Sequence, residues 1–161
     1  MSDPQVMQAK VVTVSDGVFH GVREDRSGAA LVEVLTAAGW SVVQQVVVAD
    51  GVESVSDMLI SLAEGFAGLI VTTGGTGFGP RDLTPEGTAA VLQRVAPGLA
   101  EAMRLANPPL GRLSRGTAGT RGNALILNTP GSPKGCVECL NAVIDVLPHA
   151  VSLMTGETTI H

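Results

Sequence analysis

The chain opens with short runs of β-branched residues that alternate with longer segments of helical period. The runs are Lys10–Val14, a stretch within Trp40–Ala49, and Leu69–Thr73, and each has the length and composition of a buried strand. Between them, apolar residues recur every three or four positions from Ser27 to Gly39 and again up to Glu64. This succession of β-α units predicts parallel strands joined by right-handed crossovers, with helices on both faces of the sheet.

The second half of the chain continues with helices that begin at prolines and with a hairpin. Proline at the first helical position marks helix starts, and helices are predicted from Pro85 to about Arg94, from Pro97 to about Asn107, from Pro133 and from Pro148. Gly122-Asn123 separates Ala118–Arg121 from the apolar run Ala124–Asn128, which predicts a β-hairpin. The expected fold class is therefore α/β, with a mostly parallel sheet and a β-hairpin extension.

The most informative segment is the polar one that follows the third run, from Thr72 to Glu86. Glycine occupies four of the six positions from 74 to 79, and packing is not the expected reason because glycine in a regular element costs roughly 0.5 to 1 kcal/mol relative to alanine. Bare backbone N–H groups in such a loop bind phosphate, and Thr73 and Thr76 add hydroxyl donors. Thr84 is the expected N-cap of the helix that follows.

Asp82 lies in the same segment and changes what the loop is expected to bind. A carboxylate beside a phosphate is repelled by it unless a cation lies between them, and Mg2+ with oxygen ligands is the usual cation. The segment thus predicts a phosphate-bearing ligand with a metal. A tight strand-to-helix turn with an exposed acidic residue remains the simpler alternative.

Two widespread phosphate-binding motifs do not fit this segment. A Walker A loop requires Lys and then Ser or Thr after its last glycine, but Pro80 and Arg81 follow Gly79. The dinucleotide fingerprint read from Gly75 places Pro80 where the last glycine belongs. A nicotinamide cofactor is therefore not expected.

Polar turns follow the predicted parallel strands and should share one edge of the sheet. Ser15-Asp16 follows the first strand, Asp50-Gly51 the second, and the glycine loop with Asp82 the third. Ligands of open α/β sheets bind beyond the carboxyl ends of the strands, so we expect Ser15, Asp50, Asp82 and Ser132 near one rim. Asp50-Gly51 is also ordinary helix-entry chemistry, and that alternative stays open.

A second loop of similar design, Thr129–Gly135, follows the last predicted strand. Ser132 is the expected N-cap of the next helix, whose N-terminus with Lys134 would face an anion. A solvated Lys134 without a ligand is the alternative.

Composition narrows the range of partners. With 45% hydrophobic residues, residues 1–161 are expected to form a single domain. A net charge of −5 and 2% aromatic residues argue against nucleic acid, which needs basic patches and often stacking platforms. Met1–Pro4 lacks the pattern of a signal peptide, and no run approaches 18 apolar residues, so we expect a cytoplasmic protein with no membrane partner.

Cys136 and Cys139 have the C-x-x-C spacing of metal and redox motifs. A structural zinc site needs four ligands, but no second cysteine pair exists, and His20, His149 and His161 are not arranged in a metal-binding motif. A redox motif places its first cysteine at a helix N-terminus, whereas a loop and a first turn precede Cys136. We therefore favour ordinary helix residues, and any further role of the pair stays open.

Six segments, in order along the chain, resemble one known family. They are Thr13–Asp16, Asp25–Gly28, Gly74–Glu86, Pro97–Leu99, Leu113–Arg115 and Asn128–Lys134. Together they are similar to the molybdopterin adenylyltransferases, a family that includes the molybdenum cofactor biosynthesis protein B branch. They are also similar to the G domain of gephyrin. The likeness covers nearly the whole chain, and the long glycine motif is highly specific.

The resemblance implies a fold, an activity and a set of site residues. It implies a three-layer α/β/α molybdopterin-binding domain that forms homotrimers or homohexamers. It also implies a nucleotidyltransferase that uses Mg2+ and ATP to adenylylate the terminal phosphate of molybdopterin and releases pyrophosphate. Asp50 and Asp82 match the family's catalytic, metal-binding aspartates. Ser15, Gly75, Thr76, Ser114 and Ser132 match binding positions, and the substrate-binding set predicted here adds their neighbours Asp16, Gly74, Gly77, Pro130, Gly131 and Lys134.

The surroundings of Asp50 depart from the family pattern. Family members often read Pro-Asp-Glu at this position, whereas this chain reads Ala49-Asp50-Gly51. Two other classes of function stay open beside the transferase: a non-catalytic molybdopterin-binding or carrier protein of the same fold, and an interaction protein whose oligomeric surface is its purpose.

Overall fold

A computed structural model describes residues 5–156, so Met1–Pro4 and the end of the tail with His161 lie outside the described residues. The strands are β1 (Gln8–Val14), β2 (Ser41–Val48), β3 (Gly68–Thr73), β4 (Arg94–Val95), β5 (Ala118–Arg121) and β6 (Ala124–Thr129). The helices are α1 (Asp16–Phe19), α2 (Arg26–Ala37), α3 (Val52–Ala63), α4 (Thr84–Ala89), α5 (Pro97–Leu105), α6 (Pro133–Val143) and α7 (Leu147–Met154), with a 3-10 turn at Leu110–Leu113.

The described strands form one sheet in the order β2-β1-β3-β6-β5-β4. β2, β1, β3 and β6 are parallel, whereas β5 runs antiparallel to both β6 and β4. Thr13 pairs with Thr73, and Thr73 pairs with Thr129, so β1, β3 and β6 end at the same level. Val48 of β2 pairs with Val14, which brings the fourth parallel strand to the same edge.

Helices cover both faces of the sheet, which confirms the predicted three-layer architecture. Successive strand side chains point to opposite faces. Val11 therefore belongs to a core cluster with Leu31 of α2 and Leu140 of α6, whereas Val12 belongs to a second cluster with Leu59 of α3. Each of these side chains is at most 1% exposed, so the sheet is buried on both sides at its centre.

No single helix between residues 5 and 156 is long and apolar enough to cross a membrane, and only the bent pair α6 and α7 together reaches that length and composition.

The predicted hairpin is also confirmed. Gly122-Asn123 joins β5 to β6, with Gly122 at φ 56°. A two-residue hairpin loop needs positive φ in its turn, which glycine adopts without steric strain. The two residues Gly122-Asn123 were therefore enough to predict the position of this hairpin.

The helix that follows the glycine loop begins one residue earlier than its cap pattern predicts. Leu83 is the N-cap of α4, and Thr84 is already its first residue. The Thr84 hydroxyl donates a 2.8 Å hydrogen bond to the carbonyl oxygen of Gly74 and caps no helix N–H. The N-cap prediction for Thr84 is wrong because the backbone of Thr84 is already helical, and its buried hydroxyl is directed at the Gly74 carbonyl oxygen.

Two further elements differ from the sequence-based prediction. The predicted loop after Ser15 contains α1, where Ser15 Oγ accepts from the Val18 N–H. The helix predicted to reach Arg94 ends at Ala89, and Arg94–Val95 forms β4. Gly87 favours a short helix because glycine is a poor helix former, and the backbone beyond it pairs with β5 instead.

Candidate functional site

A cavity of about 910 Å³ opens at the carboxyl ends of the parallel strands. Both aspartates predicted as catalytic line it, together with most of the predicted substrate-binding residues. Those lining residues are Ser15, Asp50, Gly74, Gly75, Thr76, Gly77, Asp82, Ser114, Pro130, Gly131 and Ser132. The expected clustering of Ser15, Asp50, Asp82 and Ser132 at one rim is confirmed, because parallel strands in register bring their polar turns to the same edge.

The first two glycines of the loop are required by close packing, contrary to the expectation that packing does not explain them. Gly74 has φ 102°, and a Cβ there would lie 2.2 Å from the Val14 carbonyl oxygen. Gly75 has φ 70°, and a Cβ there would lie 2.2 Å from Thr84 Oγ1 and 3.2 Å from Asp50 Oδ1. The loop is thus pressed against β1 and against Asp50, where a side chain would clash.

Asp50 is held by a reciprocal pair of hydrogen bonds with Asp16. The Asp16 N–H donates to Asp50 Oδ2 at 2.9 Å, and the Asp50 N–H donates to Asp16 Oδ1 at 3.1 Å. Burial raises the pKa of the half-buried Asp50 carboxyl above its usual value, and the negative charges of Asp16 and Asp82 raise it further, although the hydrogen bond from the Asp16 N–H acts the other way. A cation beside Asp50 would offset this cost of ionisation.

Asp82 is half-buried. The simpler interpretation of the sequence had expected an exposed acidic residue here. Its Oδ2 accepts from the Gly79 N–H at 2.9 Å, and its own N–H donates to the Gly79 carbonyl at 3.0 Å. Arg115 fastens the same loop, because its guanidinium donates to the carbonyl oxygens of Gly77 at 2.8 Å and Asp82 at 2.6 Å. Arg115 also forms an ion pair with Glu86, so the loop is fixed on both sides of Asp82.

The two carboxylates fit a magnesium ion bound together with a ligand. Asp50 Oδ1 and Asp82 Oδ1 accept no hydrogen bond from any of the described residues, so each carboxylate keeps one oxygen for a cation. Residues 5–156 contain no cluster of three or more His, Cys, Asp or Glu side chains that could hold a metal alone. Mg2+ commonly takes one or two carboxylates and completes its shell with water and substrate phosphates, which suits this site.

Asp16 and Lys134 were predicted to bind substrate, but they do not line the cavity. The Asp16 carboxylate faces Arg81, whose Nε lies 2.6 Å from Asp16 Oδ2. Hydrogen bonding from Arg81 holds the pKa of Asp16 below its usual value. Lys134 is 87% exposed at its side chain and lies 3.8 Å from Glu138 on the same helix, which matches the solvated alternative.

The three serines of the predicted set each use their hydroxyl oxygen as a local acceptor. Ser15 accepts from Val18 and Ser132 from Gly135, both as helix N-caps, whereas Ser114 Oγ lies 3.2 Å from the Gly116 N–H. Each hydroxyl hydrogen therefore stays available to donate to a ligand oxygen.

Sequence reasoning missed the basic residues of the cavity wall, which include Arg23, Arg26 and Arg104. Arg26 pairs with Glu24, and Arg104 donates to the Gly116 carbonyl at 2.8 Å. The Arg23 guanidinium has no hydrogen-bond or ion-pair partner among the described residues. Arg23 lies in a polar loop without periodicity, so no local pattern could have singled it out.

The backbone around Arg23 is nevertheless fixed. The Val22 and Arg23 N–H groups both donate to the Gly17 carbonyl, at 2.9 and 3.1 Å. On the other side, Asp25 accepts from the Thr13 hydroxyl at 2.8 Å. Arg23 therefore presents a positive charge to the cavity from a constrained loop.

The cysteines have the character of core residues. Cys136 and Cys139 are at most 4% exposed, and burial raises the pKa of each thiol to about 11. Both thiols are therefore protonated at neutral pH, whereas redox-active cysteines have lowered pKa values. This favours the interpretation of the pair as ordinary helix residues.

Comparison with known proteins gives a consistent set of relatives. A family model described as a probable molybdopterin-binding domain matches residues 10–149. The molybdopterin adenylyltransferase of Helicobacter pylori is 40% identical over 158 residues, which cover 94% of this chain and 90% of that protein. The molybdopterin adenylyltransferase of Escherichia coli is 35% identical over 164 residues, covering 91% of this chain and 84% of that protein.

Solved structures agree with these relatives. The molybdopterin biosynthesis enzyme MoaB of Thermus thermophilus superposes with a TM-score of 0.89 at 48% identity, covering 94% of this chain and 98% of that one. The molybdopterin biosynthesis Mog protein of Mycobacterium ulcerans superposes with a TM-score of 0.87 at 41% identity, covering 92% and 99% of the two chains. With its fold, its glycine loop and these relatives in agreement, the chain belongs to the molybdopterin-binding domain family of molybdenum cofactor biosynthesis, alongside the bacterial molybdopterin adenylyltransferases.

Proposed function

We propose that this chain is a molybdopterin adenylyltransferase that uses ATP and Mg2+. One observation carries the proposal: Asp50 and Asp82 flank the glycine loop in one cavity, and each keeps one carboxylate oxygen free of hydrogen bonds from the described residues. The cavity, at about 910 Å³, lies at the upper end of the range for small-molecule sites, which suits two substrates bound together.

The proposed reaction transfers an adenylyl group. A terminal phosphate oxygen of molybdopterin forms a bond to the α-phosphorus of ATP, the bond from that phosphorus to the bridging oxygen breaks, and pyrophosphate leaves with the electron pair. Bound Mg2+ supplies charge neutralisation for the phosphates. Phosphoryl transfer depends mainly on positioning and electrostatics, so no nucleophilic side chain is required.

The chain's own residues have separate parts in this proposal. Asp50 and Asp82 would hold the metal through their free oxygens. The hydroxyl groups of Ser15, Ser114 and Ser132 would donate to ligand oxygens, because each already accepts a bond and keeps its hydrogen. The buried Thr76 and the glycine backbone would form the wall that faces the phosphates.

Pyrophosphate release tests the proposal. Purified chain with ATP, Mg2+ and molybdopterin should release pyrophosphate, and omission of either molybdopterin or the metal should stop the release. Molybdopterin binding without pyrophosphate release would support the carrier alternative and contradict the transferase.

Replacing Arg23 by Ala should weaken the binding of a phosphate-bearing substrate by about 10- to 100-fold, because a hydrogen bond to a charged group is worth about 1.5 to 3 kcal/mol. Calorimetric titration with ATP and with molybdopterin measures the change and shows which substrate Arg23 contacts. Arg121→Ala, which removes a guanidinium bonded to the Val91 carbonyl outside the cavity lining, is the matched control. Unchanged affinity for both substrates would exclude Arg23 from binding.

We further infer that residues 1–161 act as a single cytoplasmic domain, without nucleic-acid or membrane partners, that assembles as a homotrimer or homohexamer. Several large apolar side chains support assembly, because Phe78 is 71% exposed, Leu105 is 74% exposed and Leu110 is 66% exposed. Sedimentation velocity at micromolar concentration should show a trimer or hexamer as the main species. A monomer at that concentration would contradict the assembly.

A further inference from the structure

The strand order places the turn that carries Asp16 between the two segments that carry the candidate metal ligands. β1 is the strand between β2 and β3 in the sheet. The turn after β1 carries Asp16, the turn after β2 carries Asp50, and the loop after β3 carries Asp82. A residue in the middle turn is therefore the one placed to connect the two outer loops.

Arg81 completes this connection from the third loop. Its Nε donates to Asp16 Oδ2 at 2.6 Å, and its Nη2 donates to Asp16 Oδ1 at 3.1 Å and to the Asp50 carbonyl oxygen at 2.8 Å. Arg81 immediately precedes Asp82 in the sequence. One planar guanidinium thus fastens the backbone next to Asp82 to the turns that hold Asp16 and Asp50.

Hydrogen bonding with Asp16 restrains the Asp50 carboxylate as well. The Asp16 N–H fixes Asp50 Oδ2, and Asp16 Oδ1 accepts from the Asp50 N–H, while the same carboxylate accepts both bonds from Arg81. The remaining oxygen, Asp50 Oδ1, lies beside the glycine loop, 3.2 Å from the position that a Cβ would take at Gly75.

We propose that Asp16 and Arg81 are positioning residues that set the separation and direction of the Asp50 and Asp82 carboxylates for a divalent cation. This inference rests on the proposed metal-dependent function and gives Asp16 a role other than the substrate contact expected from the sequence. Residues that orient metal ligands through hydrogen bonds typically change metal affinity or activity by about 10- to 100-fold when they are removed.

The ion pair between Arg81 and Asp16 is as exposed as a surface contact, so a positioning role can be told apart from a stabilising one. The side chains of Arg81 and Asp16 are 61% and 34% exposed. Exposed ion pairs contribute little to stability, so their removal should leave the melting temperature nearly unchanged. A positioning role predicts instead a loss of metal affinity. Arg81→Lys should retain only part of that affinity, because an ammonium group cannot reproduce the bidentate geometry of the guanidinium.

The test is a titration of Mn2+, as a paramagnetic substitute for Mg2+, into ATP with the chain in excess over the nucleotide, followed by electron paramagnetic resonance. ATP alone is the blank, because the nucleotide itself binds Mn2+. Arg81→Ala and Asp16→Asn should each weaken Mn2+ binding by about 10-fold or more, and Arg81→Lys should fall between Arg81→Ala and the unmodified chain. The double variant should bind little worse than either single variant, since both changes break the same connection. Arg121→Ala is the control, because it removes a guanidinium that donates to the Val91 carbonyl oxygen away from the cavity lining. It should bind Mn2+ as the unmodified chain does.

The outcomes separate this inference from the proposed function. Unmodified Mn2+ affinity in both single variants would overturn the positioning role while the metal site stands. Weakened affinity accompanied by an equal loss in Arg121→Ala, or by a large fall in melting temperature, would mean that the pair is only structural. If the unmodified chain adds nothing to the Mn2+ binding of ATP alone, the metal-dependent function and the positioning role both fail.

Discussion

Replacing Asp82 by Asn should lower the rate of adenylylation by about 100-fold or more while the fold survives. Asparagine keeps the shape of the side chain and one oxygen that can accept from the Gly79 N–H, which lies 2.9 Å from Asp82 Oδ2. It removes the negative charge that would hold the metal, so the loss should fall on turnover. The melting temperature should change little, because the free energy of unfolding is expected to shift by about 1 kcal/mol at most.

Asp57→Asn provides the matched control for this variant. Asp57 is an exposed carboxylate on α3 that does not line the cavity. The same chemical change at Asp57 should leave turnover unaffected. Near-normal turnover in Asp82→Asn would remove Asp82 from the mechanism, and a large fall in its melting temperature would mean that Asp82 holds the loop together instead.

Replacing Gly74 by Ala should produce the largest loss of stability among the variants considered. The added Cβ would lie 2.2 Å from the Val14 carbonyl oxygen, and the backbone at φ 102° is one that side chains rarely adopt. Backbone strain of about 1 to 3 kcal/mol adds to an overpacking cost of about 1 to 3 kcal/mol, so the free energy of unfolding should fall by roughly 2 to 6 kcal/mol. Chemical denaturation with urea measures this loss.

Gly39→Ala separates the two contributions. Gly39 has φ 90°, but no atom lies within 4 Å of its Cβ position, so alanine there meets backbone strain alone. We expect a loss of about 1 to 2 kcal/mol for Gly39→Ala. Equal losses at both positions would show that the close approach of Gly74 to β1 does not contribute.

The convergence of Asp50 and Asp82 was predictable from the sequence because it depends on topology alone. Short β-branched runs alternating with helical segments specify parallel strands, and parallel strands in register end at one edge. Val14 paired with Val48, and Thr13 paired with Thr73, realise this arrangement. Two polar turns more than 30 residues apart in sequence could therefore be assigned to one rim.

The details that depend on tertiary contacts were not predictable. Thr84 has the sequence environment of an N-cap, but its hydroxyl donates to the Gly74 carbonyl oxygen. This contact depends on how the loop packs, which no local pattern specifies. Arg94–Val95 has no strand pattern and becomes β4 only because β5 offers an edge. Asp16 and Arg81 lie 65 positions apart, so their pairing has no local signature.

The fate of the α-phosphate of ATP tests adenylyl transfer most directly. Incubation of the chain with molybdopterin, Mg2+ and ATP labelled at the α-phosphate should transfer the label to the pterin and form one pyrophosphate for each pterin labelled. ATP labelled at the γ-phosphate should release its label in pyrophosphate and leave the pterin unlabelled. If the chain binds molybdopterin and ATP but no α-label reaches the pterin, the chain is not an adenylyltransferase.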